Sequence, residues 1–268
     1  MAGSSHFASK RNMGYSTNNM ADFSCRRLGV LGGMSWMSTG EYYEILNREV
    51  LRLTGSSRAA ELVLWSFDTT KIEAKIATSQ WASIGEDLTE AAQKLVQCGA
   101  EGLIIASNTI HKVVDKGFFL SPLPLIHIRD SLLRELELQS IKRIGLIATS
   151  STMGNGIYSD IFSGTSRIDV VVPPRASWDH IDDVIFNHLC RGSVRENDRR
   201  FVSELIENFC NQGIHAVVFG CTELGLLDIH YPGVVIFDTT EIHAKDAARW
   251  SLGLEPEAQA IFDLATTS

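Results

Sequence analysis

From Leu28 onward the chain alternates short runs of consecutive apolar residues with longer stretches in which apolar positions recur every three or four residues. The short runs predict strands at 28–31, 61–66, 102–106, 124–128, 143–148, 169–172, 216–220 and 234–237. The longer ones predict helices at 39–53, 82–98, 109–117, 130–139, 153–163, 178–191, 195–212 and 240–251. Strands that are apolar throughout, separated by helices, are buried on both faces, which is the signature of parallel sheets. The fold class is therefore α/β. Residues 1–26 are rich in Ser, Asn and Gly without periodicity, and are expected to form a disordered tail. They lack the apolar centre of a secretory signal. Lys10, Arg11 and Arg26 against the single Asp22 leave an organellar transit peptide open, although no amphipathic helix can be drawn there.

The pattern repeats itself. RLGVLGGMS at 27–35 is similar to RIGLIATSS at 143–151, and GAEGLIIASNT at 99–109 to GIHAVVFGCTE at 213–223. The step from Gly29 to Ser107 is 78 positions, and the step from Gly145 to Cys221 is 76. Two matched segments at nearly equal separation point to an ancient duplication. The chain is then expected to form two pseudo-symmetric lobes, each a mainly parallel sheet flanked by helices, with the active site in the cleft between them. The first lobe spans 27–127 and is completed by the C-terminal helix within 239–268; the second spans 128–238.

Composition narrows the function. With 44% hydrophobic residues the chain can bury a sizeable core, and no apolar run approaches the ~18 residues that a membrane span needs. A net charge of −8 argues against nucleic acid or a membrane surface as a partner. Five cysteines, an odd number without a CxxC pair, argue against a disulfide framework and for a reducing compartment, hence a cytoplasmic protein. His180, His188 and Cys190 are the densest cluster of metal-ligating types but have no zinc spacing, so no metal is expected.

In parallel sheets ligands sit beyond the carboxyl ends of the strands. Ser107 follows the strand GLIIA, Cys221 follows AVVFG, and each is expected to stand against a helix N-terminus. Free N–H groups there attract anions and lower a thiol's pKa. The bland reading of Cys221 is a buried inert thiol, and that of Ser107-Asn108-Thr109 is helix capping. Cys25, Cys98, Cys190 and Cys210 keep the structural reading. Gly29-x-x-Gly32-Gly33 has Leu31 where a dinucleotide fingerprint wants glycine, which excludes nicotinamide and flavin. The Gly32-Gly33-Met34-Ser35 turn is either a tight strand-to-helix connection or a source of backbone amides for a small carboxylate.

GVLGGMSWMST (29–39) with EYY (41–43), ASNTIHKV (106–113), FGCTELGLL (219–227) and FDTTEIHA (237–244) resemble the aspartate/glutamate racemase family, and most of all its broad-specificity amino-acid racemase branch. The resemblance runs from about Leu28 to Trp250. It implies racemisation of an amino acid without pyridoxal phosphate or another cofactor, by two opposed acid–base residues that are commonly both cysteines. It also implies a homodimer. Carried onto this chain, the pair is Ser107 and Cys221, with Ser107 where the family commonly has cysteine. A hydroxyl is a far weaker acid than a thiol, so turnover is expected to be asymmetric between enantiomers. Met34, Ser35, Asn108, Thr109, Thr222 and Glu223 are the expected substrate contacts, with Thr149 as the duplicate of the Met34 region. Arg191 is the nearest match to the family's cation for a distal carboxylate. His111, on the same predicted helix as Ser107, is either an assisting base or a packed core residue. Two other readings stay open: a single-cysteine decarboxylase or cis–trans isomerase on the same fold, and an amino-acid-binding regulatory protein of little activity.

Overall fold

The computed structural model describes residues 25–55, 57–154, 158 and 168–254. The tail expected at 1–26 therefore lies almost wholly outside the described residues, as do most of the helix expected at 153–163 and the chain after 254.

Two all-parallel sheets form. In the first, β1 (Leu28–Gly32) lies between β2 (Leu62–Ser66) and β3 (Gly102–Ile105), with Val30 level with Leu64 on one side and Ile104 on the other. In the second, β4 (Arg143–Ile147) lies between β5 (Asp169–Val171) and β6 (Ala216–Phe219), and β7 (Val235–Asp238) flanks β6. A single parallel bridge, Leu103 to Leu125, stands beside β3 where β7 stands beside β6. The repeat seen in the sequence is thus the same strand order laid down twice.

The strand expected at 124–128 shrinks to that one bridge for a physical reason. Leu103 and Pro124–Ile126 exchange two backbone bonds, Leu103 N to Pro124 O at 2.8 Å and Ile126 N to Leu103 O at 2.9 Å. Beyond them the ladder is diverted to side chains. Ile126 O accepts from His243 Nε2 at 2.8 Å, Ile128 N donates to His111 Nε2 at 3.4 Å, and His127 caps the next helix.

That helix, α5 (Ile128–Leu138), and the last one, α9 (Thr239–Ser251), tie the halves together. Leu132 and Leu136 of α5 bury themselves in the core of the second sheet. Ala244, Ala247 and Ala248 of α9, at helical spacing, join the core under β1 and β3, where they meet Tyr42, Leu46 and Val50 of α1 (Trp36–Thr54). Small residues there let the two helices approach closely. The opposite face of the first sheet is covered by α3 (Trp81–Gln97), whose Ile84, Leu88, Ala91 and Leu95 are buried.

The turn from β1 into α1 depends on glycine. Gly33 has φ +78°, and a Cβ there would lie 2.3 Å from Phe67 O. Gly33→Ala is expected to cost about 2–4 kcal/mol, from strain at positive φ plus a backbone clash; a urea midpoint lowered with unchanged slope would show it. The Gly33 N–H donates to Thr39 Oγ1 at 2.8 Å. The turn is therefore the tight connection, and that amide is not offered to a ligand.

Three further expectations change. Helix 109–117 is a 3₁₀ turn (Thr109–His111) followed by the four-residue α4 (Lys112–Asp115). After the short α6 (Ser150–Gly154), helix 178–191 begins as α7 (Trp178–Asp182), widens to a π-helical segment over Asp183–His188 and tightens to a 3₁₀ turn that Gly192 ends, before α8 (Glu196–Cys210). The period-3.6 pattern cannot foresee such a register change. One helix, α2 (Thr69–Ala77), was not anticipated, because only Ile72 and Ile76 mark its apolar side. Asp68 starts it, its side chain accepting from Thr70 N.

Candidate active site

A cavity of about 440 Å³ opens between the carboxyl ends of the two sheets. The expected acid–base pair and every expected substrate contact line it: Met34, Ser35, Ser107, Asn108, Thr109, Thr149, Arg191, Cys221, Thr222 and Glu223. From the first lobe, α2 adds Glu73, Ile76 and Ala77. From the second, the π segment adds Ile185, Phe186 and Asn187, and Cys190 follows.

Ser107 stands directly off β3. Its N–H donates to Ile105 O at 2.8 Å, and its carbonyl accepts from His111 Nδ1 at 2.7 Å. Among the described residues its hydroxyl has no hydrogen-bond partner. Asn108 does not cap the turn that follows. Its amide nitrogen donates to Thr239 Oγ1 at 2.9 Å, and its oxygen accepts from the Tyr158 hydroxyl, which fixes the side chain at the cavity wall. Thr109 meets Thr152 across the cleft at 3.4 Å, and Thr152 in turn accepts from Thr149 at 3.0 Å, so a file of hydroxyls joins the lobes. Among the described residues the backbone N–H groups of Asn108, Thr109 and Thr222 reach no protein acceptor.

Cys221 is 7% exposed. A 3₁₀ turn (Leu224–Leu227) follows it, not the α-helix expected, so little helix dipole bears on the thiol. Its neighbour is a carboxylate. Cys221 Sγ donates to Glu223 Oε2 at 3.1 Å, and Thr222 Oγ1 donates to the same oxygen at 2.8 Å. Ser38, reaching over from the first turn of α1, donates to Oε1 at 2.6 Å and lies 2.7 Å from Thr222 Oγ1. Burial first, then the Glu223 charge, then Cys190, hold the Cys221 thiol well above its ordinary pKa. This reverses the lowered value expected from a helix N-terminus, and at rest Cys221 is a thiol. Cys190 is raised as well, by burial and by Glu223, so two thiols share one carboxylate. Behind it Glu41 is pushed up to about 7, by burial and by the charges of Asp238 and Glu223, and burial pushes Asp238 up to about 6.

Thr222 and Thr149 thus spend their hydroxyl protons inside the protein, and Glu223 is an acceptor hub more than a free ligand. Arg191 lies exposed on the cavity wall. Its guanidinium touches Asn187 Oδ1 at 3.3 Å and has no ion-pair partner among the described residues. His111 is fully buried with both ring nitrogens engaged by backbone, so it offers no base to the Ser107 hydroxyl. Sequence reasoning missed Ser38, Thr152, Cys190 and the π segment. Their roles depend on which helix faces cross the cleft, and no local motif marks that. Among the described residues no group of His, Cys, Asp or Glu is placed to hold a metal, and no helix is long and apolar enough to cross a membrane.

A hydroxyl and a thiol at equivalent strand ends of duplicated α/β lobes, opening on one interlobe cavity, define the class of protein. The family model described as Asp/Glu/hydantoin racemase matches residues 31–247, and the chain belongs to that family. A solved structure of a putative Asp/Glu racemase from Yersinia pestis is 35% identical, with 85% of this chain and 99% of that one covered, at a TM-score of 0.76. An aspartate racemase homologue from Pyrococcus horikoshii is 27% identical over 84% of this chain and 99% of that one, with a TM-score of 0.70. Glutamate racemase from Francisella tularensis, solved with D-glutamate, shares the fold at 17% identity and a TM-score of 0.57, with 87% and 84% covered.

Proposed function

We propose that the chain is an amino-acid racemase that needs no cofactor, with Cys221 and Ser107 working on opposite faces of one α-carbon. The observation that carries this is that these two side chains, at equivalent strand ends of the two lobes, line a single cavity. The substrate's α-carboxylate takes the backbone N–H groups of Asn108, Thr109 and Thr222 and the second amide hydrogen of Asn108. Such fixed donors stabilise the charge that develops when the α-proton leaves. Arg191 takes a polar or acidic group at the far end of the side chain, which supports substrates of the aspartate and glutamate type. The substrate ammonium docks beside Glu223. Its positive charge offsets the carboxylate that holds the thiol protonated, so binding itself brings Cys221 towards its basic form.

In one direction the Cys221 thiolate takes the α-proton and Ser107 gives its hydroxyl proton to the opposite face. In the other, a Ser107 alkoxide would have to remove the proton, and the resting Cys221 thiol delivers one. Free enantiomers have equal energy, so the two directions share one kcat/KM. The Ser107 hydroxyl is a weak acid, so the carbanion takes its proton back from Cys221 more often than it takes one from Ser107, which shows itself as exchange without inversion. In heavy water, the enantiomer whose α-hydrogen faces Cys221 is expected to lose that hydrogen at least about tenfold faster than it inverts; NMR and chiral chromatography read the two rates. A panel of amino acids in which neither exchange nor inversion occurs would overturn the assignment. A resting thiol that donates a proton also suits a one-cysteine decarboxylase, and carbon dioxide released from a malonate-type acid without amino-acid exchange would favour that reading.

A further inference from the structure

Three imidazoles lie buried behind Ser107. His111, His127 and His243 come from the turn after β3, the cap of α5 and α9, and the His111 ring lies 4.4 Å from His127 and 5.7 Å from His243 between centroids. Each tautomer is set by backbone or hydroxyl partners. A carbonyl only accepts, so His111 Nδ1, 2.7 Å from Ser107 O, carries the proton, and its Nε2 accepts from Ile128 N. His243 Nε2 donates to Ile126 O, while its Nδ1 accepts from the Tyr42 hydroxyl at 2.7 Å. His127 Nδ1 accepts from Arg129 N at 3.2 Å, which leaves its Nε2–H towards Asp115, 3.5 Å away and paired with Arg129. Burial and the neighbouring His127, His243 and Arg129 keep His111 neutral. Backbone groups of 126–128 that would have extended the sheet are spent on fixing these rings.

Ser107 is held by little else. Its turn is a 3₁₀ stub with no side-chain cap, and its hydroxyl is free among the described residues. We infer that His111 is the positioning residue for Ser107: its Nδ1–H grips the Ser107 carbonyl, and the sheet segment 126–128 grips the ring from behind, so that the hydroxyl is held at the cavity wall. His111 touches no reacting atom. The inference rests on the racemase reading above, and misplacement of an acid–base group by about 1 Å costs on the order of a hundredfold.

The test compares His111→Asn with His111→Gln in the full chain. The Asn amide stands near Nδ1 and keeps the donor to Ser107; the Gln amide reaches the Nε2 position and loses that donor. His111→Asn is expected to keep inversion within about threefold of the parent, and His111→Gln to lose ten- to a hundredfold in kcat with KM little changed. Exchange of the α-hydrogen facing Cys221 should survive in both. If inversion and exchange fall in parallel in folded protein, or if Gln serves as well as Asn, His111 is merely structural and the inference fails. A parent that exchanges nothing fails the racemase reading instead. The native protein supplies a check independent of variant folding: ¹⁵N spectra should show His111 as the Nδ1–H tautomer, without titration between pH 5 and 9, and an Nε2–H ring or a titrating one overturns the inference.

Discussion

Cys221→Ala is expected to abolish both inversion and α-hydrogen exchange, with kcat falling at least about 10³-fold, because it removes the proton acceptor of one direction and the proton donor of the other. KM should move little, since the amides of Asn108, Thr109 and Thr222 and the Arg191 guanidinium remain. The fold should tolerate the change: the side chain is small, and its only described hydrogen bond runs to Glu223. Glu223 keeps Ser38 and Thr222 as donors when the thiol is gone. Cys190→Ala is the matched control. Cys190 lines the same cavity and interacts with the same carboxylate, yet it stands in the 3₁₀ turn that ends the second lobe's helical segment and not at a strand end. Its loss should leave exchange within about threefold, the range of a side chain that only touches the substrate's surroundings. Chiral chromatography on both variants measures the contrast. Activity above a tenth of the parent's in Cys221→Ala, or an equal loss in Cys190→Ala, would remove Cys221 from the chemistry.

The strand-end logic that picked out Ser107 and Cys221 needs only apolar runs, their order and a repeat. These are properties of backbone pairing, which the pattern of buried residues dictates. That is why the seven strands of the described residues were visible in the chain and why the cavity gathers the expected acid–base pair and substrate contacts. What could not be read is whatever depends on side chains meeting across the cleft. Ser38 looks like an ordinary residue in the first turn of α1 until its hydroxyl is seen 2.6 Å from Glu223. The strand expected at 124–128 has the right composition, yet His111 and His243 take the backbone groups it would have used. The thiol's environment was misjudged for the same reason. Helix N-termini were expected where only 3₁₀ turns form, and the decisive charge, Glu223, sits two residues further along and acts in the opposite sense. Local sequence locates such a group but does not give the sign of its field.

Glu223→Gln follows from that sign. A buried carboxylate beside a thiol disfavours the thiolate, and Glu223 is, after burial, the largest cause that holds the proton on Cys221. Removing the charge lowers the Cys221 pKa. Below that pKa, abstraction by Cys221 rises about tenfold per pH unit, so the rising limb of kcat/KM for exchange should move to lower pH in the variant. The cavity need not collapse. Gln keeps one acceptor oxygen, and the Ser38 and Thr222 hydroxyls can rotate to accept from its amide. The substrate ammonium, however, loses its counter-charge, and KM should rise about tenfold or more, as for a charge-assisted hydrogen bond worth about 1.5–3 kcal/mol. Opposite movements of KM and of the pH limb would not arise from general loosening of the fold, which raises KM and leaves the limb in place. A limb that stays put or moves to higher pH would mean that Glu223 does not govern the Cys221 proton.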